Sequence, residues 1–183
     1  MINKAISCAS TAVFLVFSWT HAYAEEPKYL QLVDKLDRPN DGYCFDVQGV
    51  RGNFRADKPL VAHNCKPGAA PDGLVEHNAD SMLFFTAFDR CVTAMGTGST
   101  LLPRTSLMLK PCEERGVFAS PSMHKKFTFK QNKQLELSGS NLCIVVGDKS
   151  ARTLSSRDRW RALYLDYCDK SPLERSQWQL VSP

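Results

Sequence analysis

Apolar and polar residues alternate over many short segments of the chain, for example at 127–129 and 135–137. A period of two is typical of strands that are buried on one face. Clusters of Pro, Gly, Asn and Asp, such as 39–42 and 139–141, recur between these segments and indicate turns. No long segment carries a helical period, so the pattern predicts an all-β chain of short strands.

The first 24 residues follow a different pattern. Lys4 supplies a positive start, residues 5–19 are mostly apolar, and Ala22 and Ala24 form a small-residue cleavage site. This combination is typical of a secretory signal peptide, and the apolar stretch is short and interrupted for a membrane span. An uncleaved anchor is the alternative. We expect cleavage after Ala24 and a secreted or periplasmic domain over residues 25–183, without stable membrane insertion.

Six cysteines remain after the predicted cleavage, and their spacing divides the chain into three units. An even number of cysteines in an exported chain indicates disulfides, although the count alone does not choose among the pairings. Taken in consecutive pairs, each first cysteine opens an apolar segment and each second cysteine follows a leucine by five residues. The recurrence predicts three bridges, Cys44–Cys65, Cys91–Cys112 and Cys143–Cys168.

An internal repeat of this length decides the fold of a chain. Three β-rich copies with about four strands each fit a closed barrel of pseudo-threefold symmetry, and closure removes the exposed sheet edges. The expected repeats cover about 29–75, 76–127 and 128–181.

Composition and charge exclude several classes of function. Lys and Arg total 23 against 19 Asp and Glu, and no basic run occurs, so nothing indicates nucleic acid binding. The six cysteines are widely separated and lack the close spacing of zinc ligands. Motifs of serine hydrolases, zinc proteases and phosphate loops are missing. We therefore expect no metal site, no cofactor and no catalytic residues.

The units resemble the repeats of the ricin-B-type β-trefoil lectins. The resemblance rests on Asp46 two residues after Cys44, and on a tryptophan ten residues after Cys168, where the family carries a Q-x-W triplet. The triplet is degenerate, since Ser176 replaces its glutamine. The resemblance implies a β-trefoil over nearly the whole mature chain, with the triplet's last residue packed in the core. The corresponding residues are Val75, Phe127 and Trp178.

The resemblance also implies sugar binding. A sugar site needs polar groups for adjacent hydroxyls and a flat platform for the C–H face of the ring. In the first unit, the family's carboxylate, its platform, a polar contact after the second cysteine and its amide fall at Asp46, His63, Lys66 and Asp72. The second and third units have Thr93 and Val145 in place of the carboxylate. The predicted site therefore lies in the first unit alone.

Structural roles compete with these assignments. Asp46 beside a disulfide can bond a turn, and His63 can be a surface residue. For Trp160 and Tyr164, core or partly buried packing is favoured over an exposed aromatic site. The expected ligands are glycans or glycoconjugates, bound by a lectin acting alone or as the cell-binding subunit of a toxin with a separate catalytic chain. The alternative is a trefoil without sugar sites that binds or inhibits a protein partner.

Overall fold

The computed structural model describes residues 26–50, 52–96, 101–114, 121–153 and 155–183. The predicted signal peptide lies outside these ranges. Within them, the all-β prediction is confirmed, because strands are interrupted only by three short 3-10 helices. In this part of the chain, no helix has the length and apolar character needed to cross a membrane. The 3-10 helices are Thr86–Phe88, Ser122–Lys125 and Leu173–Arg175.

The strands form three repeats of four main strands, with three additional short strands. The first repeat holds β1 (Lys28–Leu32), β2 (Tyr43–Asp46), β3 (Gly49–Val50), β4 (Asn53–Phe54), β5 (Val61–Asn64) and β6 (Leu74–His77). The second holds β7 (Leu83–Phe85), β8 (Arg90–Ala94), β9 (Leu107–Lys110) and β10 (Phe127–Phe129). The third holds β11 (Leu135–Leu137), β12 (Leu142–Val146), β13 (Ala151–Arg152), β14 (Arg159–Tyr167) and β15 (Trp178–Val181).

The first and last main strands of the repeats close a six-stranded barrel. Strand β1 pairs with both β6 and β15, β6 pairs with β7, and β10 pairs with β11. Two backbone hydrogen bonds complete the ring, one where β10 meets the chain before β7 and one where β15 meets the chain before β11. The amide of Phe127 donates to Ser81 O at 2.7 Å, and the amide of Trp178 donates to Lys133 O at 2.9 Å. The closed barrel leaves no unpaired edge, and with its three repeats it is the expected β-trefoil.

The middle strands of each repeat form a hairpin, β2–β5, β8–β9 and β12–β14. The three hairpins also contact one another around the pseudo-threefold axis. Between β14 and β5, Trp160 lies opposite His63. Near the other two junctions, the amide of Leu60 donates to Leu107 O and the amide of Leu165 donates to Thr105 O, both at 2.8 Å. A strand of the third repeat is therefore fixed beside the first repeat.

Each repeat contains one disulfide, and the predicted pairing is confirmed. The bridges join Cys44 to Cys65, Cys91 to Cys112 and Cys143 to Cys168, with the two Cα atoms 4.9 Å apart in every case. Three such bridges are typical of a protein that folds in an oxidising compartment.

The core fills the barrel and the space beneath the hairpins. The three residues in the place of the family's tryptophan, Val75, Phe127 and Trp178, are each at most 1% exposed, so their packing is as expected. The indole Nε1 of Trp178 donates to Ile144 O at 3.0 Å, and its ring lies edge-on to Phe45 with the centroids 5.2 Å apart. Trp178 thus joins the first and third repeats.

Replacing Trp178 by Phe is expected to lower the free energy of unfolding by about 1–3 kcal/mol, because the buried carbonyl of Ile144 loses its donor. Trp160→Phe is the matched control. Since Trp160 lies at the surface, the control is expected to stay within about 0.5 kcal/mol of the wild type. Urea unfolding followed by circular dichroism measures both. Equal effects of the two substitutions would contradict the role given to Trp178.

Candidate functional site

One cavity brings the four predicted site residues together. It has a volume of about 1070 Å³ and lies between the first repeat and the β13–β14 hairpin of the third. Asp46 ends strand β2, His63 is in β5, and Lys66 and Asp72 belong to the loop between β5 and β6. All four line this cavity. Their role in sugar binding stays a prediction, but they form a single cluster.

Lys66 links two buried carboxylates at the cavity wall. Its Nζ lies 2.7 Å from Asp46 Oδ2 and forms a second ion pair with Asp72 Oδ2. Asp46 is 4% exposed and Asp72 is 5% exposed, whereas the Lys66 side chain is partly open to solvent. The cluster therefore offers carboxylate acceptors and an ammonium donor to a molecule in the cavity.

The surrounding backbone holds this cluster in place. The amide of Val47, next to Asp46, donates to Asp72 O at 2.9 Å and so ties the end of β2 to the loop. The hydroxyl of Tyr29 donates to Gly68 O at 2.7 Å and accepts from the amide of Ala70 at 2.8 Å. Lys66 and Asp72 flank these contacts, so the barrel strand β1 fixes the loop that carries them.

Burial shifts the protonation of the cluster. Removal from water raises the pKa of Asp46 to about 7, although Lys66 opposes this rise, and the nearby Asp72 adds to it. Burial acts against the charge of Lys66, but Asp46 and Asp72 outweigh it and raise the pKa of the ammonium. At neutral pH the cluster therefore contains a charged lysine beside a carboxyl group that is close to its titration midpoint.

This shift predicts a pH dependence of stability. The usual pKa of an unfolded Asp is about 3.9, so between about pH 4 and pH 7 the folded state binds more protons at Asp46 than the unfolded state does. The contribution of protonated Asp46 to the free energy of unfolding is complete below about pH 4 and is lost as the pH rises through about 7. We expect Asp46→Asn to remove this loss. Urea unfolding from pH 4 to pH 8 would contradict the assignment if both proteins showed the same slope.

His63 contributes a half-buried ring to the same wall. Its Nδ1 donates to Asn64 O at 2.9 Å, which fixes the ring orientation. Burial lowers the pKa of His63, so the ring is neutral at pH 7. A neutral, oriented imidazole offers an apolar face and one further nitrogen to the cavity.

Sequence reasoning missed the wall that comes from the third repeat. Trp160 is 37% exposed and lines the cavity, so it is partly buried rather than packed in the core. The pairing of β14 with β5 brings it there. Tyr164 is half-buried beneath the guanidinium of Arg104, 4.4 Å from the ring centroid, which agrees with its expected packing. The polar residues Arg152, Thr153, Ser155 and Asp158 complete this wall.

The corresponding positions of the other repeats lack the carboxylate cluster. Thr93 is fully buried, and its hydroxyl donates to Cys91 O at 3.2 Å. Val145 is also buried. In the third repeat, Asp166 stands in the place of His63 and pairs with Arg104, whose Nε lies 3.2 Å from Asp166 Oδ2. An ion pair therefore occupies the place that the two rings hold in the first repeat.

The described residues of the cavity do not form a cluster suited to a metal ion. Across the described residues, no group of three or more His, Cys, Asp or Glu side chains is placed to hold one. The carboxylates of Asp46 and Asp72 both bond the Lys66 ammonium. The arrangement suits hydrogen bonding to an uncharged polar molecule.

Known structures share this fold. No family model and no curated protein matches the sequence. The mdaA-1 domain in solution is 14% identical with a TM-score of 0.61, covering 88% of this chain and 92% of that one. The β-trefoil lectin of the Vibrio vulnificus hemolysin/cytolysin, solved with N-acetyl-D-lactosamine bound, is 13% identical with a TM-score of 0.52, covering 86% and 94%.

The agglutinin from Abrus precatorius is a further structural neighbour. It is 16% identical with a TM-score of 0.57, and the match covers 90% of this chain but 51% of that one, so this chain spans about half its length. At such identities, the likeness shows the fold. The fold is thus a β-trefoil, and the resemblance seen in the sequence is confirmed at the level of the fold.

Proposed function

We propose that the chain is an exported, lectin-like domain that binds a neutral glycan in the cavity of the first repeat. The observation that carries the proposal is the meeting of Asp46, Lys66 and Asp72 beside the rings of His63 and Trp160. Sugar hydroxyls both donate and accept, so carboxylates and an ammonium group can bind neighbouring hydroxyls. The rings supply an apolar surface for the C–H face of a sugar.

The charges favour a neutral glycan over an acidic one. Lys66 is already paired with two carboxylates, and Asp158 and Arg152 add one charge of each sign to the lining. A sialylated or sulfated sugar would therefore have to compete with Asp46 and Asp72 for the Lys66 ammonium, which costs binding energy.

The structural neighbours support the ligand class. The Vibrio vulnificus domain was solved with N-acetyl-D-lactosamine, a neutral disaccharide, and the Abrus precatorius protein is an agglutinin. The three disulfides agree with export to an oxidising compartment. In this proposal the domain acts as a lectin by itself or as the cell-binding subunit of a toxin, and it has no catalytic role of its own.

A second candidate function is a scaffold for protein contacts. The replacement of the carboxylate by Thr93 and Val145 favours it, and so do two exposed apolar side chains of the third repeat outside the cavity. Tyr167 is 38% exposed and Leu173 is 49% exposed. Exposed apolar residues of this kind occur at protein interfaces.

The test is a glycan array with oxidised protein over residues 25–183, biotinylated and clustered on streptavidin so that weak single sites register through multivalency. The array includes N-acetyl-D-lactosamine and sialylated forms of the same glycans. We expect binding to neutral glycans and weaker binding to the sialylated forms. If the clustered protein binds no glycan, the lectin proposal fails, and a pull-down from the secreted fraction tests the scaffold.

A further inference from the structure

Trp160 has an unusual place for a large aromatic residue. Trp160 and Trp178 are the two tryptophans among the described residues, and Trp178 is 1% exposed whereas Trp160 is 37% exposed. Trp160 also lines the cavity. A large apolar side chain that remains partly exposed in a cavity is a candidate contact for a ligand.

The fold itself does not require an aromatic residue there. Trp160 lies eight residues before Cys168, and Arg104 lies eight residues before Cys112 in the second repeat. Both contact the neighbouring repeat at the residue two positions before its second cysteine: Trp160 is opposite His63, and Arg104 pairs with Asp166. The Arg104 side chain is 69% exposed. Since the second repeat accepts a charged, exposed residue, packing does not explain the tryptophan.

The ring of Trp160 stands on a fixed part of the structure. Strand β14 pairs with β5, and the side chain of Asn64 in β5 accepts from the amide of Arg159 at 3.0 Å. The next residue, Arg161, donates to Gly147 O and Asp148 O and pairs with Asp37 at 2.8 Å. Both neighbours of Trp160 are therefore tied down, which limits the ordering cost of binding a ligand on its ring.

Trp160 and Asp46 lie on strands that are not direct neighbours, at two different walls of the cavity. The strand order is β14, β5, β2, so two strand spacings, or about 10 Å, separate β14 from the strand that carries Asp46. The cavity is continuous over this distance, and its volume of about 1070 Å³ exceeds what one pyranose fills. Ser155 and Asp158 provide hydrogen-bonding groups beside the ring.

We propose that the glycan bound in the cavity is an oligosaccharide of at least two sugar units, with one unit at Asp46, Lys66 and Asp72 and the next stacked on Trp160. This inference rests on the proposed function and assigns the third repeat a part in a site that begins in the first. It makes Trp160 the residue that distinguishes an oligosaccharide from its terminal monosaccharide.

The test is an array that carries neutral oligosaccharides of two to five units, each printed beside the monosaccharide at its non-reducing end. We expect the wild type to bind the oligosaccharides more tightly than the monosaccharides. In Trp160→Ala and Trp160→Arg, the ratio of the two affinities is expected to fall about tenfold, as for an anchoring tryptophan in an interface. The second repeat carries Arg104 at the position of Trp160, so the fold accepts an arginine there. Trp160→Arg is therefore expected to fold normally while it removes the aromatic ring.

Tyr167→Ala is the matched control, because Tyr167 is in the same strand, is 38% exposed and lies outside the cavity lining. We expect it to leave the affinity ratio unchanged. If the Trp160 variants bind oligosaccharides with the wild-type ratio, or lose mono- and oligosaccharides equally, the second subsite is wrong while the lectin function stands. If the wild type binds no glycan, both proposals fail.

Tryptophan fluorescence gives an independent readout. In residues 25–183, Trp160 is open to a quencher such as acrylamide and Trp178 is not. An array-positive oligosaccharide is expected to protect the wild type from quenching, and its terminal monosaccharide is expected to protect it much less. Equal protection by both sugars, or protection by neither, would overturn the placement of a second sugar on Trp160.

Discussion

Asp46→Asn is expected to reduce the affinity for the glycans that the wild type binds by between about 30-fold and several thousand-fold. The range is that found when one partner of a buried charged hydrogen bond is removed. Asp46 is 4% exposed at the cavity wall and holds Lys66 at 2.7 Å. The substitution keeps the size of the side chain but removes the carboxylate acceptor and frees the ammonium from one of its two partners. Glycan binding by the clustered protein measures the effect.

The matched control is Asp166→Asn in the third repeat. Asp166 stands in the place of His63, and its carboxylate bonds Arg104 and the amide of Tyr167. We expect this variant to bind glycans as the wild type does. A loss of binding in Asp166→Asn with retained binding in Asp46→Asn would move the site to the third repeat. Thermal unfolding of both variants verifies that the fold is intact.

Removal of the first disulfide is expected to have a large effect on stability and to affect binding as well. In Cys44→Ala/Cys65→Ala, the free energy of unfolding is expected to fall by about 2–5 kcal/mol, as for native disulfides of small exported domains. Cys44 lies opposite His63 in the β2–β5 pairing, and Cys65 directly precedes Lys66. The loop that carries Lys66 then loses a covalent restraint, so glycan affinity should fall even where the protein remains folded.

The third disulfide provides the control for this prediction. It closes a separation of 25 residues against 21 for the first, so Cys143→Ala/Cys168→Ala is expected to lose a similar amount of stability. Its cysteines do not line the cavity, and glycan binding below the unfolding transition should persist. Urea unfolding and the glycan array separate the two readouts. Equal losses of binding in both double variants would show that the effect is a general destabilisation.

The predicted repeats and disulfides illustrate what adjacent residues encode. Strands β10 and β11 fall at the alternating segments 127–129 and 135–137. The cysteine pairs agree with the spacing because each bridge joins the first strand of a hairpin to a residue just after its second strand, and a hairpin is a local structure. Period, turn residues and spacing are therefore sufficient for three disulfide-bridged β repeats, and the resemblance to the ricin-B-type repeat supplied the β-trefoil.

The four predicted residues of the cavity were found through a repeat motif of one unit, since they lie within 27 residues of one another, from Asp46 to Asp72. The position of Trp160 at the cavity was not predicted. Asn64 and Arg159, which anchor the neighbouring strands at this wall, are 95 residues apart in the chain. No local pattern specifies which strand of a distant repeat will lie beside β5, because that pairing follows from closure around the threefold axis.

The sequence by itself determined the all-β class, the three disulfide-bridged repeats and the set of polar side chains in the first repeat. The tertiary structure alone decided that Asp46 and Asp72 share one lysine, that Trp160 completes the cavity, and that an ion pair fills the corresponding place of the third repeat. It also decided the pKa of Asp46, which rises to about 7 through burial. The physical reason is that burial and cross-repeat pairing depend on distances in space, whereas strand period and cysteine spacing depend on neighbours along the chain.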